Sequence, residues 1–382
     1  MSAIAKTTDD TRKKAGKTLR NWRKSEASNE FRLAVDCCRH AFDPVEDARL
    51  AQTAGGVDWS GFLSVVERHR IAGLAWHALR ELNLPMPEET REALASKSAS
   101  IAAQGLQAAV QSAEISSALD GAGIRHLFVK GLLVGALAYP SPFIKQSWDV
   151  DLLVGEEAIE ESAALLRTLG FELIFPSIGT DWPRLASWHR VQKDSAWRHE
   201  RSGLVVELHS RLADNPLLIP DVDVTSPTRM VTLADGIALP TLEWPEMFAH
   251  LCVHGASSAW FRLKWIADLA ALVSRSTEPL ESLFDRSQHL GSGRSAAQGL
   301  LLAHRLFDLQ LPGRLLRCLK SDRAAIRLER AAMQQLLAPE PGDRAFGTLT
   351  IHATQLLLLP GMGFKLAESR RQLAAAFSNL ID

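Results

Sequence analysis

Apolar positions along this chain change their period twice. Up to about residue 122 they recur about every 3.6 residues, the spacing of amphipathic helices. Trp59-Ser60-Gly61-Phe62-Leu63 runs into Val65, Val66, His69, Ile71, Leu74 and Leu79 on one stripe. The alanine-rich stretch from Glu88 to Leu119 reads as one long helix, stopped by Gly121 and Gly123.

Between 123 and 242 the texture becomes that of short strands and helices. Arg125 to Val129 is a β-type run, Leu132 to Ala138 a helix, and Tyr139-Pro140-Ser141-Pro142 a turn. Ser147 to Val154 reads as a strand, Glu156 to Leu169 as a helix and Phe171 to Phe175 as a third strand. Trp188 to Lys193, Ala196 to Glu200 and Leu204 to His209 are strand-like, with a hairpin turn at Arg201-Ser202-Gly203.

From Glu243 onward helices return at 243–257, 262–274, 279–290 and 295–309. Further helices follow, broken at Pro339-Glu340-Pro341-Gly342 and at Leu359-Pro360-Gly361. The expected fold is therefore α+β, a small mixed-sheet core flanked by N-terminal and C-terminal helical regions. The expected divisions are a disordered basic arm (1–28), a helical region (29–122), the α/β core (123–242) and a second helical region (243–382).

Composition narrows the function classes. The 382 residues carry a net charge of −1, so no global field would hold a polyanion, and general nucleic-acid binding is not expected. No run of about 18 apolar residues suggests a membrane span. Cys37, Cys38, Cys252 and Cys318 show no zinc spacing and suit a reducing cytoplasm. The basic N-terminus (Arg12, Lys13, Lys14, Lys17, Arg20) has no apolar stretch behind it and does not read as a secretory signal.

The chemistry concentrates in the core. Asp149-Val150-Asp151 enters an apolar strand, and residues two apart on a strand share a face. Two carboxylates that close repel each other unless a cation sits between them, and magnesium with phosphate is the usual companion of oxygen ligands. An isolated pair of this kind also describes two solvated aspartates at a strand start. Three other features fall beside it. Lys130-Gly131 stands at a strand-to-helix junction, where backbone N–H groups can meet an anion. Lys145 precedes the aspartates, and Glu207 with His209 repeats the shared-face spacing on a later strand. Three carboxylates facing a phosphate-cradling turn suit metal-assisted phosphoryl transfer.

Phe128-Val129-Lys130-Gly131, Tyr139-Pro140, Lys145, Asp149-Val150-Asp151-Leu152-Leu153-Val154 and Val206-Glu207-Leu208-His209 resemble uncharacterised bacterial nucleotidyltransferases of the DNA polymerase β-like superfamily. His250-x-x-x-His254-Gly255 and Arg262-Leu263-Lys264-Trp265-Ile266 with Asp268 are similar to that family's helical pattern. The resemblance runs from roughly Asp58 to Ser274.

It implies that Asp149, Asp151 and Glu207 bind two Mg2+ ions, with Mn2+ as the alternative, and carry catalysis. Lys130, Gly131 and Lys145 would border the nucleotide; His209, His254, Arg262 and Lys264 would face substrate. The implied reaction moves a nucleoside monophosphate from a nucleoside triphosphate to a hydroxyl or phosphate acceptor. That acceptor could be a peptide natural product, a small molecule, a protein or an RNA end, held by the two helical regions. The alternatives are transfer of another phosphate-linked group, such as a sugar from a nucleotide sugar, and non-catalytic nucleotide binding. Two departures stand out: the first turn is Lys130-Gly131-Leu132 where the wider superfamily has Gly-Ser, and Lys145 stands where arginine is usual. His250 and His254, four apart, read as structural or substrate-facing and lack a zinc-protease glutamate. Asp268 is spaced to pair with Lys264 on a helix surface.

Overall fold

A computed structural model describes residues 27–43, 47–147, 149–176, 185–338 and 348–378. The basic arm lies almost wholly outside these residues, as does the Pro339–Gly342 break.

The first helical region comprises α1 (Asn29–His40), α2 (Asp47–Ala54), α3 (Trp59–His69), α4 (Ala72–Glu81) and the long α5 (Glu88–Gly121). Side-chain caps mark two of the starts. Ser28 accepts from the Phe31 N–H, and Asp58 accepts from the Ser60 and Gly61 N–H groups. Helix α3 ends on Arg70, which adopts a left-handed conformation with φ of 55°.

The core follows as β1 (His126–Phe128), α6 (Gly131–Ala138), β2 (Asp149–Val154), α7 (Ile159–Thr168), β3 (Phe171–Phe175), α8 (Leu185–Val191), β4 (Asp194–His199) and β5 (Val205–His209). These strands form one five-stranded sheet in the order β1-β2-β5-β4-β3. Strands β2 and β5 run parallel, and the other neighbours are antiparallel. The mixed sheet is as expected. One of its faces is apolar: Val150, Leu152, Val206, Leu208 and Trp197 pack on Ile115 and Leu119 of α5 and on Ile159 and Leu166 of α7. By strand alternation the other face carries Asp149, Asp151, Glu207 and His209.

Trp188 to Lys193 corrects the expectation of a strand, because this segment lies mostly in helix α8. Long-range partners favour the helix. The Arg211 guanidinium donates to the carbonyls of His189 and Val191 at 2.6 and 2.8 Å, satisfying groups a helix end leaves bare. Trp188 Nε1 donates to the Asp194 carbonyl, and the His189 ring spans the Ser195 and Ser210 hydroxyls.

A hairpin absent from the expectation, β6 (Thr228–Ala234) with β7 (Ile237–Leu242), turns through Asp235-Gly236. Asp-Gly between two apolar runs is a recognised hairpin signal. Thr241 Oγ1 anchors the hairpin by donating to the Phe128 carbonyl at 2.6 Å.

The second helical region comprises α9 (Trp244–Ser257), α10 (Leu263–Arg275), α11 (Leu280–His289), α12 (Gly293–Phe307), α13 (Gly313–Ser321), α14 (Arg323–Leu337), α15 (Leu349–Gln355) and α16 (Met362–Ser378). Its Phe248, Trp260, Leu269 and Leu300 share one apolar cluster with Leu33, Phe62 and Leu74 of the first region. Polar ties reinforce the union. Arg68 donates to the Gln335 and Leu336 carbonyls, and the Leu263 N–H donates to His69 Nδ1 at 3.1 Å. The start of α10 is thereby fixed beside the corner that carries Arg70. Among the described residues, no helix is long and apolar enough to cross a membrane.

Candidate active site

The site begins at the junction between β1 and α6. Gly131 has a φ of +53°, and a Cβ added there would lie 2.8 Å from Ser147 Oγ. The backbone geometry and the close approach both favour glycine. The turn Lys130-Gly131-Leu132 carries no hydroxyl of its own; the Ser147 hydroxyl lies beside it and donates to the Asp149 carbonyl.

Strand pairing decides the rest. The Val129 N–H donates to the Asp151 carbonyl at 3.1 Å, bringing the end of β1 alongside β2. There the Lys130 ammonium reaches Asp151 Oδ1 at 2.6 Å. On the other side Asp151 stands opposite Glu207 in the parallel β2–β5 register, and His209 lies two residues further along β5. His209 Nε2 is 3.1 Å from Asp151 Oδ1 and 3.4 Å from Glu207 Oε2. One ligand atom from each of Asp151, Glu207 and His209 fits within 4.8 Å of the others. Two carboxylates and an imidazole this close are a donor set for a divalent cation. His209 thus joins the carboxylates in the tightest cluster, whereas Asp149 stands next to it on the same strand face.

Electrostatics distinguish the two aspartates. Burial would raise the Asp151 pKa, but Lys130 and the hydrogen bond from His209 hold it well below the usual carboxylate range. Burial and the charge of Asp151 instead push Asp149 above that range. Burial opposes a charged His209, yet its hydrogen bonds to Asp151 and Glu207 raise its pKa overall. Behind His209, Asp194 lies 3.8 Å from Nδ1 and is itself paired with Lys193 at 2.6 Å. Neither Asp194 nor Lys193 stood out in the sequence, although Asp194 opposes His209 on β4.

Asp149 and Asp151 open onto a cleft of about 100 Å³. Arg70, Lys130, Lys145 and Lys264 line it together with those two carboxylates and Asp268. Asp268 does not take the surface pairing expected with Lys264. Its Oδ2 lies 3.3 Å from Lys145 Nζ, and its Oδ1 accepts from the Tyr139 hydroxyl at 3.1 Å. Lys264 Nζ donates to the Gln146 carbonyl at 3.3 Å. The reason is burial: α10 turns this face inward, against α6 and the 142–147 turn.

The remaining candidates divide. His254 lines the cleft, with its ring edge on Trp265 at 5.3 Å between centroids. Burial, then Lys130, keeps the pKa values of His250 and His254 well below the usual histidine range. Arg262 is outside the cleft lining; it donates to the Arg68 carbonyl and covers the Phe261 ring. Arg70 was missed entirely, because nothing in its local sequence marks it and only packing between the helical regions places it here.

Among curated proteins, none matches this chain. Residues 55–308 match the model of a family described as uncharacterised nucleotidyltransferases, so the chain belongs to that family and is an enzyme of the transferase class.

Proposed function

We propose that this enzyme moves a nucleoside monophosphate from a nucleoside triphosphate to a hydroxyl or phosphate acceptor, assisted by Mg2+ or Mn2+. The observation that carries the reading is the register of β2 and β5, which sets Asp151 opposite Glu207 with His209 beside them. Asp149, Asp151 and Glu207 would hold the cation, with His209 completing the donor set. A bound divalent ion would neutralise phosphate charge and lower the pKa of an attacking hydroxyl.

The chain's own groups divide the remaining work. Asp151, kept ionised by Lys130, is suited to holding a cation throughout. Glu207 keeps 29% of its side chain exposed, so it is the carboxylate best placed to accept the acceptor's proton. Lys130 and the first turn of α6 would neutralise the transferred phosphate. His254, which lines the same cleft, would border the donor or the acceptor.

The test is turnover of labelled ATP, GTP, CTP and UTP with Mg2+ or Mn2+, using cell extract as the acceptor source. Pyrophosphate release with label on an acceptor, lost in Asp149→Asn/Asp151→Asn, is the expected result. No release from any of the four triphosphates would sink this reading and turn attention to nucleotide sugars or to binding without turnover.

A further inference from the structure

Lys264 is a buried cation with no carboxylate of its own. It is 9% exposed, donates to the neutral Gln146 carbonyl, and makes no ion pair among the described residues. Burying an uncompensated ammonium is costly, so such a group usually has a counter-ion in the functional state. Among the described residues no carboxylate pairs with it, although Asp149 and Asp268 line the same cleft. Asp151 is taken by Lys130, and Asp268 is held between Lys145 and the Tyr139 hydroxyl.

The neighbours make the corner more cationic. Lys145 lines the same cleft, and its charge acts on Lys264, which donates to the carbonyl of the residue after Lys145. Arg70 enters the same lining from the left-handed end of α3. The cleft is small, about 100 Å³, and its lining of cations suits phosphate oxygens.

We propose that Arg70, Lys145 and Lys264 form a polyphosphate subsite that takes the outer phosphates of the donor nucleotide. The proposal rests on the nucleotidyl-transfer reading and deepens it. The sequence suggested that the helical regions hold the acceptor; in this assignment both also reach the donor, one through Arg70 and the other through Lys264. Bidentate contacts from the arginine and point charges from the lysines would divide the phosphate oxygens between them. The pKa of Lys264 supports the assignment. Burial and then Lys145 lower it to about 7, despite Asp268 and Asp149, and a phosphate bound beside it would raise it again.

The experiment is calorimetric titration of the full chain with inorganic tripolyphosphate, without divalent cation, for wild type, Lys264→Met and Arg70→Asn. Methionine keeps the length of the lysine stem without its buried charge, and asparagine tolerates the left-handed φ at position 70. Wild type should bind, and each variant should bind about tenfold to a hundredfold more weakly, the loss of one charge-assisted contact. No binding by wild type, or unchanged affinity in both variants, would overturn the subsite. Nucleotide turnover separates this from the reaction itself. Tripolyphosphate binding without transfer from any nucleoside triphosphate leaves the subsite standing while the reaction falls. Transfer by Lys264→Met and Arg70→Asn at an unchanged KM for the triphosphate leaves the reaction standing while the subsite falls.

Discussion

The Lys130 ammonium and the His209 imidazole meet on the same atom, Asp151 Oδ1, at 2.6 and 3.1 Å. In the proposed reaction a divalent ion held by Asp151 would compete with both of them for the carboxylate. On that reading Lys130 would have two opposed effects, supporting phosphate chemistry while weakening cation binding.

Lys130→Met separates those effects. Turnover should fall by about a hundredfold or more as the phosphate loses its nearest cation. Mn2+ affinity of the ligand-free protein, read from the electron paramagnetic resonance of free Mn2+, should rise by roughly tenfold. Weaker Mn2+ binding in the variant would show that Lys130 organises the carboxylates instead of competing for them.

Asp149→Asn should stabilise the fold and abolish function. Burial and Asp151 already disfavour the charged form of Asp149, so a neutral amide of the same shape suits the folded chain better. A gain of about 1 kcal/mol in unfolding free energy is expected, with activity lower by about a thousandfold. Denaturant melts and pyrophosphate release measure the two arms; loss of stability would contradict the electrostatic account.

His209 tests the cation's identity. Imidazole favours Mn2+ and later metals over Mg2+, whereas carboxylates accept either. In wild type Mn2+ should bind more tightly than Mg2+. His209→Gln should lose about tenfold in Mn2+ affinity with a smaller change for Mg2+. Equal losses for both ions would mean that His209 orients the carboxylates and is not itself a ligand.

Acid should weaken the fold before the carboxylates titrate. Burial lowers the pKa of His189 to about 4, and it drives His69, His250 and His254 well below their ordinary value. In the unfolded chain these groups take up protons at about pH 6.5, while the folded chain refuses them. Their contribution is therefore complete above pH 6.5 and is lost as pH falls toward 4, on the order of 3 kcal/mol for His189 alone. His209 has the opposite sign: its raised pKa adds stability below pH 6.5 that disappears as pH rises through the folded value, so it offsets part of the loss. Urea melts at pH 7, 6 and 5 should show a steady fall. A flat profile would mean that the buried histidines are protonated in place.

Local pattern reached unequally far into this molecule. The long α5 and the apolar strand after Asp149 were legible because their side-chain periods repeat over many residues. Helix α8 was not, since its seven residues carry little periodic signal and its end is satisfied by Arg211 from another segment. The β6–β7 hairpin had its Asp235-Gly236 signal and was overlooked between the better marked elements.

For the site, the sequence by itself determined the pairs: a two-residue spacing on a strand puts Asp149 with Asp151, and Glu207 with His209, wherever those strands lie. It also determined the preference for glycine after Lys130 at the turn into α6. Only tertiary structure decided which pair faces which. Register between β2 and β5 depends on contacts across the whole sheet, and a slip of one residue would move every carboxylate to the other face. The meeting of Arg70 with Lys145 and Lys264 is less local still. It exists because the two helical regions bury one apolar cluster together, and burial energy depends on area covered, with no memory of distance along the chain.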